Sequence, residues 1–447
     1  MIKNRLLIIG GNAAGMSAAS QARRTGPDIE ITVIEQSPYI SGASCGLPYF
    51  ISGEVKDINS LLVRTKEYFE TKRNIKVLTL IKAVRIHPFA KNVETLNLEN
   101  SAKANIAYDR LIIAAGGSAV KTDSGKGIFT LRNIGDGIAL KQFINNANPL
   151  TAAVIGGGMI GMETASSFRK LGMKVTVFEG SPAILPGFDR EISEPLEKYL
   201  AENKIEIIKS KASVLSAPSG GVDIKTASVS HHYDMALLTI GTKPLSELAH
   251  AAGCETGTTG AIRTNQKMQT SVPSIYAAGD CVEVRHLISG KNVYMPLGTT
   301  ANKTGRVAGI NAAGGEARFN GITGSITGNI LEMTLAKTGL SEEEARETAG
   351  EILSTVSEST SRAGYYPGSS KITTKLIYSK ISGQLLGAQM IGKEGIAKRI
   401  DVLSVCISQK MKLRDIAGLD LTYAPPVAPV WDPVLKAVNT ALLKIKK

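Results

Sequence analysis

Cysteine is scarce in this 447-residue sequence: Cys45, Cys254, Cys281 and Cys406 are the full set. No two stand at the spacing of paired metal ligands, and they do not form the framework of a small secreted protein. The second and fourth positions after Cys45 hold Leu47 and Tyr49, so no neighbouring dithiol closes there and no metal site is expected. No run approaches the about 20 apolar residues that cross a bilayer, so no membrane partner is expected. The opening MIKNRLLIIGG carries an apolar run too short for a secretion signal, ending in glycines. It reads as a strand, and the cytoplasm is the expected compartment. Acidic residues are the minority, leaving a formal charge of +13, which favours anionic partners. The basic residues are scattered rather than blocked or interleaved with aromatics, so nucleic acid is not an expected partner.

Glycine, at 45 residues, is abundant, and 43% of the chain is hydrophobic. This is an ordinary α/β composition, and the length predicts about three domains. Leu6-Leu7-Ile8-Ile9 is continuously apolar, as a buried parallel strand is, and it enters Gly10-Gly11-Asn12-Ala13-Ala14-Gly15. A helical stretch follows over Met16 to Arg24, then a strand over Ile29 to Ile34 closed by Glu35, 20 residues after Gly15. Strand, glycine turn, helix, strand and acid in that order make a βαβ dinucleotide-binding unit. The turn presents backbone N–H groups to a pyrophosphate at a helix N-terminus, and the acid is expected to accept hydrogen bonds from ribose hydroxyls. Asn12 replaces the middle motif glycine.

The unit occurs again. Ala152 to Ile155 run into Gly156-Gly157-Gly158-Met159-Ile160-Gly161, a helix is expected to about Leu171, and a strand over Lys174 to Phe178 ends at Glu179, 18 residues after Gly161. An acid there suits a free 2′-hydroxyl and repels a 2′-phosphate, so NADH is expected to be preferred, with NADPH possible. Two dinucleotide units in one chain suggest one resident and one visiting cofactor, and FAD with a nicotinamide is the economical pair. Tyr108 to Gly117 and Ser274 to Asp280 each read as a strand entering a glycine turn, the second ending on an acid suited to a ribitol chain.

The order GGNAAG, YDRLIIAAGG, GGGMIG, SIYAAGD resembles the flavin-dependent pyridine nucleotide–disulfide oxidoreductases over essentially the whole chain. The resemblance implies an α/β protein with FAD- and NAD-binding Rossmann-like domains and an α+β C-terminal dimerisation domain. The expected divisions are 1–117 and 246–322 for FAD, 118–245 for NAD(P)H and 323–447 for the interface of a homodimer. It assigns cofactor contacts to Gly10, Gly11, Ala13, Ala14, Gly15, Glu35, Gln36, Ala115, Gly116, Gly279, Asp280 and Thr300. To these it adds Gly156, Gly158, Ile160, Gly161, Glu179 and Gly241. SCGLPYF at 44–50, GYYPG at 364–368 and LTYAPPVAPVWDP at 421–433 look like the single-cysteine branch, most like its coenzyme A disulfide and persulfide reductases. There two tyrosines of the partner subunit approach the cysteine; the matching positions are Tyr365 and Tyr423. Coenzyme A contacts fall near Ser17, Gln21, Arg24, Ser41, Ser44, Arg73 and Asn302, and Arg64 is a further candidate on the residues alone. The chain departs from the branch in two places: Ala13 stands where peroxidases and many oxidases carry histidine, and Ser44 where many coenzyme A enzymes carry asparagine. No additional rhodanese domain is expected.

Cys45 sits in a Gly/Pro-rich turn that opens a helix, which predicts a lowered thiol pKa. Without a second cysteine beside it, Cys45 either pairs with a small external thiol or oxidises to a sulfenic acid. These alternatives correspond to reduction of coenzyme A disulfide or persulfide, and to an NADH oxidase. Cys254, Cys281 and Cys406 read as packing residues. In the C-terminal third, Ser341 with Glu344 forms a capping-box pattern, residues 393–408 have helical periodicity, and the prolines of 424–433 exclude helix and central strand.

Overall fold

The computed structural model describes residues 4–121, 125–217 and 220–445. Three five-stranded sheets organise it. The first places Ile275–Ala277, Arg110–Ile113, Arg5–Ile9, Glu30–Glu35 and Lys76–Thr79 side by side, all parallel. Leu6 to Ile9 and Leu111 to Ile113 are buried, because helices or loops cover both faces of a parallel sheet. A strand far along the chain thus completes a sheet begun at its start. The second sheet orders Ile205–Ile208, Lys174–Phe178, Thr151–Ile155, Met235–Leu238 and Ile128–Thr130, again parallel. Where the chain passes between the two sheets, Gly117–Ala119 and Thr242–Pro244 form a two-stranded antiparallel ribbon.

The third sheet is antiparallel: Ile326–Ile330, Met333–Gly339, Leu385–Gly392, Lys371–Ser379 and Ile352–Thr360. Helices Ile396–Ser408 and Pro433–Ile445 share its core through Leu376, Tyr378, Leu403, Cys406 and Val438. Ser341 caps helix Glu342–Thr348 with a complete capping box. The second and third sheets are locked by Lys375, 2% exposed at its side chain, which meets Asp189 at 3.1 Å, Glu191 at 2.8 Å and Glu342 at 2.7 Å. Burial alone would depress that ammonium, but the three carboxylates outweigh it and raise its pKa. Among the described residues no helix is long and apolar enough to cross a membrane.

Candidate functional site

Both glycine turns fold as their sequences predict. The strand Arg5–Ile9 ends at Gly10, and the helix opens earlier than its periodicity suggests, at Ala13–Thr25. The strand Thr151–Ile155 ends at Gly156, and the helix runs Met159–Lys170. Gly10 and Gly156 each stand at φ +106, and a Cβ at either would strike the backbone of Ala114 or Thr239; only glycine makes this turn at low cost. The acids occupy equivalent places. Glu35 accepts from Gly11 N at 2.7 Å and Ser37 N at 2.8 Å. Glu179 accepts from Gly157 N at 2.6 Å and Ser181 N at 2.7 Å. Each carboxylate therefore ties the turn to the end of the second strand, with lone pairs left for ribose hydroxyls. Burial raises the Glu35 pKa.

Open space borders the turns, as a dinucleotide requires. Cβ atoms at Gly116, Gly158 and Gly241 would meet nothing within 4 Å, so backbone lines open space there. Ala115 is half-buried, Gln36 exposed, and Ile160 40% exposed. Gly279, at φ +85, has Ala14 beside it, and its N–H donates to Thr304 Oγ1 at 3.0 Å. Thr300 is buried on helix Gly298–Ala312. That helix packs closely on Ala13–Thr25: a Cβ on Gly305 or Gly309 would collide with the carbonyl of Ala14 or Ala18.

Asn12 does not simply weaken the first motif. Its Oδ1 accepts from Gly42 N at 3.0 Å, while Gly11 O accepts from Ser41 N at 2.8 Å. Ser41 stands at φ 54, a left-handed conformation that a non-glycine residue holds only when its surroundings impose it. The loop leading to Cys45 is thereby tied to the first glycine turn. Ser44–Gly46 forms a 3-10 turn that continues into helix Leu47–Ser52, with Pro48 in the first turn, where a missing N–H costs little. Leu47 and Ile51 are buried with Leu131, Ile134 and Leu140. Ser167 Oγ donates to Pro48 O at 2.8 Å, and Lys141 Nζ to Ile51 O at 2.6 Å. The Cys45 helix is therefore wedged between the two nucleotide units.

Cys45 itself is exposed, whereas Cys254, Cys281 and Cys406 are buried. The expected depression of its pKa is not found: the thiol is raised. Although the residue is exposed, neighbouring protein partly desolvates its sulfur, the larger cause, and the negative charges of Glu163 and Asp280 outweigh the favourable field of Arg132. These partners come from distant segments and carry no local pattern. Glu163 is itself raised by burial; its Oε1 accepts from Asn329 N at 3.3 Å and lies 3.5 Å from the Tyr49 hydroxyl. Tyr49 is pushed up to about 12 by burial and by that carboxylate. Asp280, expected to face a ribitol chain, is held by an ion pair with Arg132, whose Nε also donates to Gly117 O at 3.1 Å.

Ser17, Gln21 and Arg24 share one face of helix Ala13–Thr25, as a spacing of three to four residues requires. Ser17 Oγ bonds Asn302 Oδ1 at 2.5 Å, and Arg24 Nη1 donates to Gln21 Oε1 at 3.2 Å. Arg23 reaches Arg73 O at 3.0 Å and Asn74 O at 2.7 Å, fastening the end of helix Lys66–Arg73 beside this face. Arg64 and Arg73 both lie against Tyr68. The Tyr365 and Tyr423 hydroxyls are 3.5 Å apart. They line a groove of about 740 Å³ with Val430, Trp431 and Leu443, and neither Cys45 nor a glycine turn borders it. Burial and the Tyr365 hydroxyl raise the Tyr423 pKa, the hydrogen bond being the larger cause. Within one chain the structure thus pairs the tyrosines with each other and not with the thiol.

Comparison with known proteins agrees with this architecture. Residues 4–305 match the pyridine nucleotide-disulphide oxidoreductase family, and residues 329–433 match its dimerisation domain. A Methanocaldococcus jannaschii protein named NADH oxidase is 35% identical over 99% of both chains. A Pyrococcus horikoshii NAD(P)H coenzyme A polysulfide/persulfide reductase is 34% identical over 97% of both. The crystal structure of reduced Bacillus anthracis CoADR-RHD superposes with a TM-score of 0.96 at 32% identity, covering 100% of this chain and 81% of that one. FAD and NAD(P)H are the cofactors of this family, and the chain belongs to the pyridine nucleotide–disulphide oxidoreductases.

Proposed function

We propose that this protein reduces a coenzyme A disulfide, or the corresponding persulfide or polysulfide, at the expense of NADH, with Cys45 as its only redox cysteine. The observation that carries this reading is the isolation of Cys45. It is the exposed thiol between the two nucleotide units, and the other three cysteines are 2%, 0% and 1% exposed. An internal disulfide has no partner here, so the oxidised state is shared with an external sulfur.

Cys45 Sγ, as thiolate, attacks one sulfur of the substrate disulfide. The S–S bond breaks, a Cys45–coenzyme A mixed disulfide forms, and one coenzyme A thiolate leaves. Bound FAD supplies the relay of two electrons from nicotinamide to sulfur. Overall, one disulfide, one NADH and one proton become two thiols and NAD⁺. Arg132 is the cation that favours the Cys45 thiolate. The partner subunit's Tyr365 and the partner subunit's Tyr423 donate a proton or a hydrogen bond to the departing sulfur, which makes the homodimer the working unit. Divisions at 1–117, 118–245, 246–322 and 323–447 are part of this reading, supported by the ribbon at Gly117–Ala119 and Thr242–Pro244 and by the separate third sheet. Glu179 favours NADH through its place beside the second turn.

NADH-dependent release of thiol from coenzyme A disulfide tests the proposal: turnover is expected in the wild type and a loss of at least about a thousandfold in Cys45→Ser. A second reading is favoured by the relative named NADH oxidase: oxygen as acceptor, with Cys45 cycling through a sulfenic acid. Ala13 leaves that reading without an imidazole at the first turn. Oxygen consumption outpacing disulfide reduction would favour it.

A further inference from the structure

The loop that follows each acid repeats. EQSPYISGASC at 35–45 and EGSPAILPGFD at 179–189 share Glu-x-Ser-Pro-x-Ile, and they fold alike. Ile40 and Ile184 each pack on the second glycine of their turn, Gly11 and Gly157. The next residue, Ser41 or Leu185, is left-handed, at φ 54 and φ 55. Its N–H donates to the carbonyl of that same glycine, at 2.8 Å in both loops. Four residues on, the first loop carries Cys45 and the second carries Asp189.

The second loop ends against the third sheet. Lys337, Gln389 and Lys375 stand on one rung of that sheet, on three adjacent strands, so their side chains share a face. All three are buried. Lys337 Nζ donates to Gly187 O at 2.8 Å and lies 5.9 Å from the centroid of the Phe188 ring. Gln389 Oε1 accepts from Asp189 N at 2.7 Å. Lys375 meets the Asp189 carboxylate, which also accepts from Glu342 N at 3.2 Å. One polar row thus grips three consecutive residues of the loop. Apolar side chains would hold two domains together without the cost of burying two ammonium groups, so cohesion alone does not account for the row. What it adds is direction, because it fixes particular backbone and carboxylate atoms of the loop that closes on Gly157.

We propose that Asp189, gripped by this row, is a positioning residue for NADH: it holds loop 180–189 in the conformation that keeps Glu179 and the second glycine turn ready for the nucleotide. The dimerisation domain thereby sets NADH affinity through residues outside both glycine turns. The proposal rests on the reading that NADH binds at the second turn.

The test uses the flavin-loaded dimer, with ADP-ribose as the calorimetric probe, which reads affinity whichever acceptor the enzyme uses. Asp189→Ala is the informative variant, because Lys375 keeps Glu191 and Glu342 as counter-charges. About tenfold weaker binding is expected, the scale of a hydrogen bond to a charged group. The KM for NADH should rise by a similar factor, while kcat and the KM for coenzyme A disulfide stay within about twofold. Asp189→Asn, which keeps an acceptor for Glu342 N, should recover most of the affinity. Should Asp189→Ala fail to fold, Lys337→Met frees Gly187 O and should weaken the probe in the same direction. Wild-type probe affinity in Asp189→Ala, alongside weakened binding in Glu179→Ala, overturns the positioning role. A loss shared equally by kcat and the KM of both substrates overturns it as well. Undiminished binding in Glu179→Ala overturns instead the placing of NADH at the second turn, and the proposal with it.

Discussion

The two glycine turns are built on one plan and differ in how they are closed. In both, a strand ends at a glycine with φ +106, a helix starts within three residues, and a glutamate at the end of the next strand accepts the second residue's N–H. At the first turn, Asn12 reaches across to the Cys45 loop, and the helix is clamped by Gly305 and Gly309 against Ala14 and Ala18. At the second, Gly158 faces open space, and Ile160 is substantially exposed. Closure on several sides suits a cofactor that stays, and an open turn suits one that arrives and leaves. The same backbone physics serves both, and side chains outside the motif make the difference between the two turns.

The largest effect should come from breaking the closed side. Gly305→Val drives a side chain into the Ala14 carbonyl and is expected to cost about 3 kcal/mol or more, read as a lowered melting temperature and lost flavin absorbance. Next, the two acids should part company. Glu179→Ala is expected to raise the NADH KM by about tenfold with flavin retained, whereas Glu35→Ala should release flavin, because each also holds its own turn through a charge-assisted hydrogen bond. Equal effects on both cofactors would erase the distinction. Asn12→Gly makes the first turn match the second. It removes the acceptor for Gly42 N and should cost about 1 kcal/mol, with faster alkylation of Cys45 as its loop loosens. The smallest effect concerns charge alone. Glu163 raises the Cys45 pKa, so Glu163→Gln should move the alkylation–pH profile toward lower pH, since a thiol with a lower pKa ionises earlier. A shift the other way would show that Glu163 helps the thiolate.

The strand–turn–helix units, the capping box at Ser341 and the helix Ile396–Ser408 were legible because each is written within a few consecutive residues. The isolation of Cys45 was legible by counting. The environment of Cys45 was not: Arg132, Glu163 and Asp280 reach it from separate segments, and their balance with desolvation reverses the effect expected of a turn that opens a helix. Asn12 looked like a defect in a motif, and only the fold shows the loop it holds. The meeting of Arg64 and Arg73 on the Tyr68 ring has no sequence signature at all and is visible only in the fold. The pairing of Tyr365 with Tyr423 required bringing a loop and a proline-rich segment together, and the family resemblance supplied those positions where periodicity is silent.

The central claim is that the lone thiol shares its oxidised state with an external sulfur. The most direct measurement is the mass of the native, unreduced protein after exposure to coenzyme A disulfide, compared with a reduced sample and with Cys45→Ser. The account predicts an adduct of coenzyme A size that disappears on reduction and is absent from the variant. A gain of one oxygen on the wild type, or a bare thiol with no adduct, would contradict it.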